Sequence, residues 1–245
     1  MSRFSVVNRI GCQADSLVHP CDRCEVRDYS ACAPLNAGEQ KRLVSIMTPI
    51  EVPAHKAIFE EASPASHVFN VIAGAVKIYK LLPDGRRQVT GFLFPGDFLG
   101  LTHNDSYAYS AEALTPTELC RFPRRKLEAL LQEMPKLERR LLGIASHELA
   151  AAQDQMMLLG RKSARERVVS LLLMLSNSAV KRGRPSDPVA LPMNRGDIAD
   201  YLGLTMETVS RVLSQLKTKG LIQLLDEKQV RLAKPEALRE IATGF

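Results

Sequence analysis

The sequence predicts an α+β protein in which an N-terminal antiparallel β-roll of the jelly-roll type leads through a long helix to a C-terminal winged helix-turn-helix. Three observations predict this order. Short segments rich in β-branched and aromatic residues alternate with glycine turns through residues 50–123. An apolar repeat with alternating spacings of 3 and 4 lies beyond Lys136, and two short amphipathic segments meet at a turn at Gly203.

The roll is predicted from strand-like segments and the turns between them. Val68–Ile72 and Ala75–Leu82 are rich in Val, Ile, Phe and Tyr, with Gly74 at the joint. Leu82–Gly85 reads LPDG, which is a turn signal, and strand character resumes at Gln88–Phe94. Short strands that follow one another through tight turns favour an antiparallel roll or barrel.

Two helices are predicted after Pro123, a short one over Arg124–Gln132 and a long one from about Lys136 to about Leu159. Apolar residues of the long helix recur at spacings of 3, 4, 3, 4 and 3 and form an a/d seam. The seam residues are Leu142, Ala145, Leu149, Ala152, Met156 and Leu159. So narrow a seam is typical of a helix that pairs with its own copy, so we expect a homodimer. The alternative is that this face packs within one chain.

The C-terminal part predicts a helix-turn-helix with a wing. Asn194 is a good N-cap for a helix that ends near Leu202, and Thr205 can cap a second helix from Met206 to about Lys219. Residues 221–232 have the pattern of a hairpin. In such a fold the second helix enters the major groove of DNA.

The expected recognition helix carries side chains that suit base reading: Glu207, Ser210 and Arg211. An arginine can donate two hydrogen bonds to guanine, a glutamate can accept one from cytosine, and a serine can contact either class of base. Double-stranded DNA is therefore the predicted partner. A winged helix that binds protein instead is the alternative.

Composition fits a soluble DNA-binding protein. The net charge is +6, and the stretch from Arg161 to Arg184 holds seven Lys or Arg residues against one acid, Glu166. A solvated basic face is the simpler interpretation of that stretch. The longest apolar run, around Val168–Leu175, is too short to cross a bilayer, and Met1–Gly11 lacks a secretory signal. We therefore expect a cytoplasmic protein with no membrane partner.

The cysteines predict a metal site. Four of the five lie within residues 12–32, and Cys21, Cys24 and Cys32 follow the pattern C-x2-C-x7-C. Cys120, far along the chain, is the remaining candidate for a fourth ligand. This set predicts a metal or iron–sulfur centre that pins a flexible N-terminal arm to a folded domain. Thiolates alone do not distinguish a cluster from structural zinc or a thiol redox switch.

Other classes of protein fit less well. The sequence contains no phosphate-binding glycine-rich loop, no G-x-S-x-G and no H-E-x-x-H motif, so no enzymatic activity is expected. A haem sensor is a further alternative, but none of the five histidines lies in a haem-attachment motif. They are His19, His55, His67, His103 and His147.

The chain resembles the CRP/FNR superfamily of bacterial transcription regulators, and the FNR branch most of all. The segment Arg195–Thr205, followed by Glu207-Thr208-Val209-Ser210-Arg211, is similar to the signature of that branch. Thr90-Gly91-Phe92 and Pro95-Gly96-Asp97-Phe98 match the family's sensory roll. The spacing of the N-terminal cysteines is that of some FNR relatives, with a longer final gap than in FNR itself.

The resemblance implies a ligand set and a regulatory role. Cys21, Cys24, Cys32 and Cys120 take the positions of the ligands of an oxygen-labile 4Fe–4S cluster, and Cys12 is dispensable. The implied protein activates or represses transcription under low oxygen as a homodimer that contacts RNA polymerase.

It also implies DNA contacts. Glu207, Ser210 and Arg211 match base-reading positions for TTGAT half-sites in an inverted repeat. Positions expected to hold phosphates are Arg195, Thr205 and Thr208.

Against the cyclic-nucleotide members of the superfamily, the chain lacks two groups. Leu101 takes the place of the acid that holds the ribose, and Tyr109 replaces the arginine that holds the cyclic phosphate. No cAMP binding is therefore expected, since a phosphate without a cation binds poorly.

The expected domain boundaries give a cysteine-rich arm at 1–35, the sensory roll at 36–128, the dimerisation helix at 129–160 and the DNA-binding domain at 161–245.

Overall fold

The computed structural model of the chain describes residues 24–244. Cys12 and Cys21 therefore lie outside the described residues. A 3-10 turn at Arg27–Tyr29 and helix α1 (Ala37–Ser45) precede the β-roll. Helix α1 was not predicted from the sequence, although Asn36 and Glu39 form the capping box that marks its start.

Two antiparallel four-stranded sheets make the predicted roll, which is confirmed. Its strands are β1 (Thr48–Val52), β2 (Ala57–Phe59), β3 (His67–Ala73), β4 (Val76–Leu81), β5 (Arg87–Leu93), β6 (Phe98–Leu99), β7 (Ser110–Ala113) and β8 (Thr117–Pro123). One sheet has the order β1-β8-β3-β6 and the other β2-β7-β4-β5.

The first of these sheets is covered on both faces. Phe69, Val71 and Leu119 point into the roll, where they pack with aromatic residues such as Phe59. Side chains alternate along a strand, so Val68 and its neighbours on the other face pack against helices instead. This outer face carries the candidate cysteine site.

Helices α2 (Arg124–Glu133) and α3 (Pro135–Arg161) confirm the predicted break near Pro135. Leu137, Leu141, Gln155 and Leu158 of α3 are buried against the chain's own domains. The predicted seam is instead open: five of its residues are exposed and Leu159 is half-buried. The structure of a single chain thus leaves an apolar stripe without an intramolecular partner.

The C-terminal domain is a winged helix-turn-helix, as predicted. Its elements are α4 (Ala164–Lys181), β9 (Val189–Ala190), α5 (Arg195–Leu202), α6 (Met206–Thr218), β10 (Ile222–Leu224), β11 (Gln229–Leu232) and α7 (Pro235–Thr243). The sequence did not predict β9, which pairs with β11 and adds a third strand to the wing, or α7, which packs on α4.

The sensory roll and the helix-turn-helix are in direct contact. Phe92 of β5 lies against Tyr201 of α5, with ring centroids 5.0 Å apart. Gln88 donates to the backbone carbonyl of Asp200 at 2.7 Å, and Gln155 of α3 donates to that of Tyr201 at 2.6 Å.

Within residues 24–244, no helix has the length and hydropathy to span a membrane.

Candidate DNA interface and cysteine site

Helix α6 presents one buried and one open face. Val209, Val212, Leu213 and Leu216 are buried in the domain core. Its N-terminus is capped by Thr205, whose hydroxyl accepts from the backbone N–H of Thr208 at 3.2 Å. The cap fixes the direction in which the first turn of the helix projects.

The residues predicted to read bases all lie on the open face. Glu207, Ser210 and Arg211 are exposed. Glu207 and Arg211 form no ion pair among the described residues; Arg211 Nη2 instead lies 3.5 Å from Thr208 Oγ1. Hydrogen bonds to its own backbone N–H and to Thr205 lower the pKa of Glu207 below its usual range, so this side chain is a carboxylate acceptor at neutral pH.

The predicted phosphate-binding residues lie at helix N-termini, where backbone N–H groups favour anions. Arg195 is the first residue of α5 and is half-buried. Burial lowers the pKa of its guanidinium, while the charge of Glu227 opposes that shift. Thr205 and Thr208 share a hydroxyl–hydroxyl contact of 3.1 Å at the start of α6.

Part of the basic stretch 161–184 has an internal role that the sequence did not show. Arg167 donates to the carbonyls of Leu159 and Lys162 at 2.7 and 2.8 Å and to that of Leu202 at 2.9 Å. It therefore joins the C-terminus of α3 to the C-terminus of α5. The interpretation of the whole stretch as a solvated face is wrong for Arg167, because its guanidinium donates hydrogen bonds to these three backbone carbonyls.

The sequence predicted a flexible arm that a metal centre pins to a folded domain. From Cys24 onward, this cysteine-bearing segment is packed against the rest of the chain. Val26, Ala31 and Leu35 are buried. Arg140 of α3 donates to the carbonyl of Tyr29 at 2.7 Å and to that of Ser30 at 3.2 Å. Buried apolar side chains and the two carbonyls bound by Arg140 therefore help to hold this part of the arm against the folded domain.

Gly96 makes room for this packing. A Cβ at that position would lie 2.4 Å from the Tyr29 ring, and the backbone φ of +97° also favours glycine. The turn Pro95–Asp97, identified in the sequence as a family feature, therefore serves as the seat of the cysteine-bearing segment.

The structure brings Cys32 and Cys120 to one apolar cluster, formed by Val68, Phe98 and Phe122 with residues of α2 and α3. Burial raises the pKa of the Cys32 thiol; a hydrogen bond with Ser30 opposes the shift, and Cys24 adds to it by charge repulsion.

Within residues 24–244, no three His, Cys, Asp or Glu side chains come close enough together to hold a metal ion, and Cys21 lies outside that range. The donor set still suits a thiolate-bound centre. It brings sulfurs from the arm and from β8 to one largely apolar surface, and an orphaned amide oxygen at Asn70 adjoins them.

Inside the roll, Tyr109 occupies the position where the family's nucleotide-binding arginine is expected. Its hydroxyl accepts from the backbone N–H of Gly100 at 3.0 Å, and burial raises the pKa of Tyr109 to about 12. The group is therefore neutral and does not substitute for a cation. The absence of cAMP binding stays a prediction.

These elements define a class of protein: a β-roll joined by a long helix to a winged helix-turn-helix, which is the architecture of a DNA-binding transcription regulator. Residues 49–134 match the cyclic nucleotide-binding domain family, and residues 166–241 match the Crp-like helix-turn-helix domain. The chain belongs to the CRP/FNR family of DNA-binding transcription regulators. The predicted family and fold are confirmed.

Relatives of known role are regulators of transcription. The chain is 39% identical over 207 residues to the nitrogen fixation regulation protein FixK of Bradyrhizobium diazoefficiens, covering 84% of this chain and 87% of that protein. It is 35% identical to the transcriptional activator protein FnrL of Cereibacter sphaeroides, covering 89% and 90%. The structure of FixK2 from Bradyrhizobium japonicum superposes with a TM-score of 0.75 at 40% identity, covering 80% of this chain and 97% of that one.

Proposed function

We propose that this protein is an oxygen-responsive regulator whose dimer binds inverted repeats of TTGAT under low oxygen while Cys21, Cys24, Cys32 and Cys120 hold a 4Fe–4S cluster. The observation that carries the proposal is that Cys32 and Cys120, 88 positions apart in the sequence, both pack against one apolar cluster beside α3. The homology to FnrL, an activator by name, supports the regulatory role.

The described ligands lie on different parts of the chain. Cys24 and Cys32 flank the 3-10 turn, and Cys120 lies on β8. When bound, the cluster would supply sensitivity to oxygen, because oxygen oxidises and breaks down 4Fe–4S clusters of the labile kind. Its thiolate ligands would then no longer tie the cysteine-bearing segment to β8.

A direct route leads from this segment to the dimer helix. Arg140, which holds the carbonyls of Tyr29 and Ser30, lies on α3 two residues before Leu142, the first seam residue. Movement of the segment therefore acts on the start of the seam. We expect the exposed stripe of α3 to pair with its copy in a second chain, which places two copies of α6 one DNA turn apart.

The exposed tip of α6 fits the proposed half-site. Arg211 would donate to the guanine of TTGAT, and Glu207 would accept from the cytosine paired with it. Thr205 and Thr208, at the N-terminus of α6, and Arg195, at that of α5, would contact phosphates and fix the register. With DNA as its partner, the protein would act in the cytoplasm, and RNA polymerase would be its second partner.

The test is iron and sulfide analysis of protein prepared without oxygen, followed by DNA binding before and after exposure to air. We expect a brown protein with iron and acid-labile sulfide, and an affinity for TTGAT repeats that falls in air. Cys120→Ala should lose the iron, whereas Cys12→Ala, its matched control, should keep it. A colourless protein that contains zinc would overturn the cluster and favour a zinc-stapled or thiol-switch regulator.

A further inference from the structure

Asn70 carries an unusual orphaned atom. The residue is 2% exposed, and its Oδ1 is the one buried side-chain nitrogen or oxygen of residues 24–244 that has no hydrogen-bond partner. Leaving a buried acceptor unsatisfied is destabilising, whereas a leucine there would carry no such penalty. A buried amide with an unsatisfied oxygen calls for an explanation other than packing.

The register of the sheet places this amide beside the cysteine site. Asn70 of β3 is paired directly with Cys120 of β8 on one side and with Phe98 of β6 on the other. Residues directly opposite each other share a face, with Cβ atoms roughly 4.5–5.5 Å apart. Asn70 also lines a small cavity together with Cys32. Its amide therefore adjoins two of the four cysteines.

We infer that Asn70 is a positioning residue for the iron–sulfur centre and donates an N–H to one of its sulfurs; this inference rests on the proposed function. A carboxamide has an acceptor on one side and a donor on the other, and half a turn of the group exchanges them. Thiolates and inorganic sulfides accept hydrogen bonds. The amide left unsatisfied on the apolar face would thus find its partner in the bound centre.

The hydrogen bond would slow the loss of the centre in air. A donor to a sulfur stabilises the electron-rich form of an iron–sulfur centre against oxidation. Asn70→Leu keeps nearly the same shape and removes the donor. We expect the visible absorption of the variant to decay roughly five- to tenfold faster in air, which is the effect of one ordinary hydrogen bond.

A second measurement separates this role from a structural one. In the cluster-free protein, Asn70→Leu removes an unsatisfied acceptor, so its thermal midpoint should be equal to or above that of the parent. A merely structural asparagine would give a lower midpoint. Asn177→Leu makes the same substitution at an exposed position of α4 and should leave the decay rate unchanged.

The outcomes are distinct. A parent protein without iron and sulfide would overturn both the proposed function and this inference. A parent that holds the centre, with an Asn70→Leu variant that loses it at the parental rate, would overturn the inference alone. So would an Asn70→Leu variant whose cluster-free form is less stable than the parent.

Discussion

Lys77 Nζ lies 2.8 Å from Asp197 Oδ1 in a buried ion pair that joins the sensory roll to the first helix of the helix-turn-helix. The two side chains are 4% and 1% exposed. Glu112 lies 3.0 Å from the same ammonium, and Arg87 reaches Asp197 at 3.1 Å and Asp200 at 2.8 Å. The other oxygen of Asp197 accepts from the backbone N–H of Asn194. One carboxylate therefore both caps the N-terminus of α5 and binds that helix to the β-roll.

Removing Lys77 should separate the unfolding of the two domains. Lys77→Met leaves Asp197 buried with only Arg87 opposite it, and breaking a buried pair from one side costs about 3 kcal/mol. Urea unfolding followed by circular dichroism should show a lower midpoint and two resolved transitions. Arg86→Met is the matched control, because Arg86 pairs with Asp84 in an exposed ion pair whose loss should change the midpoint little.

Arg140 should transmit the state of the cysteine site to DNA binding. Arg140→Met keeps the aliphatic stem but loses the hydrogen bonds to Tyr29 and Ser30. We expect the variant to assemble its iron–sulfur centre and yet to bind DNA about tenfold more weakly without oxygen, the effect of one to two such hydrogen bonds. Arg139→Met, at the exposed neighbouring position, should bind like the parent. Parental affinity in both variants would contradict this coupling.

How far the sequence predicted the molecule depends on the range of the interaction concerned. Turn signals and the a/d repeat located the roll and α3, because these patterns are local. The pairing of Lys77 with Asp197, 120 positions away, left no local signal, since either residue alone resembles an ordinary surface charge. The position of Asn70 beside Cys120 could not be predicted either, because it depends on the register between β3 and β8.

The misses in secondary structure have a similar cause. Helix α1 carried a readable signal in the Asn36 and Glu39 capping box. The two-residue strand β9 exists only because β11 pairs with it, and neither propensity nor periodicity predicts so short an element. Arg167 lies in a cluster of like charges, which suggested that its side chain is exposed. In the folded chain its guanidinium donates instead to three backbone carbonyls at the ends of two helices.

The seam of α3 should hold the dimer together. Leu149 is 62% exposed in the single chain, and a charge there would be buried against a second helix. Leu149→Glu should give a monomer in sedimentation and lose binding to an inverted repeat. Ala150→Glu, also exposed but about 100° around the helix, should remain dimeric. Dimers in both variants would show that another surface makes the contact.

Arg211 should set the preference for guanine. Arg211→Ala removes a donor from the open face of α6 and should cost about 1–3 kcal/mol at TTGAT sites. The variant should also lose discrimination between TTGAT and the same half-site with its guanine replaced, measured by competition at fixed salt. Lys219→Ala, beyond the far end of α6, is the control and should keep the discrimination.

Glu148 should make the protein less stable as the pH rises. Although the residue as a whole is exposed, desolvation of its carboxyl, and then repulsion from Asp97, raise its pKa from 4.5 to about 7. Between these two values the folded chain keeps a proton that the unfolded chain has released, so this group lowers stability as the pH rises through that window. Screening at an exposed residue limits the effect to about 1 kcal/mol. Glu148→Gln should therefore have a higher urea midpoint than the parent at pH 8 and the same midpoint below pH 4.5, and an equal difference at both pH values would contradict the assignment.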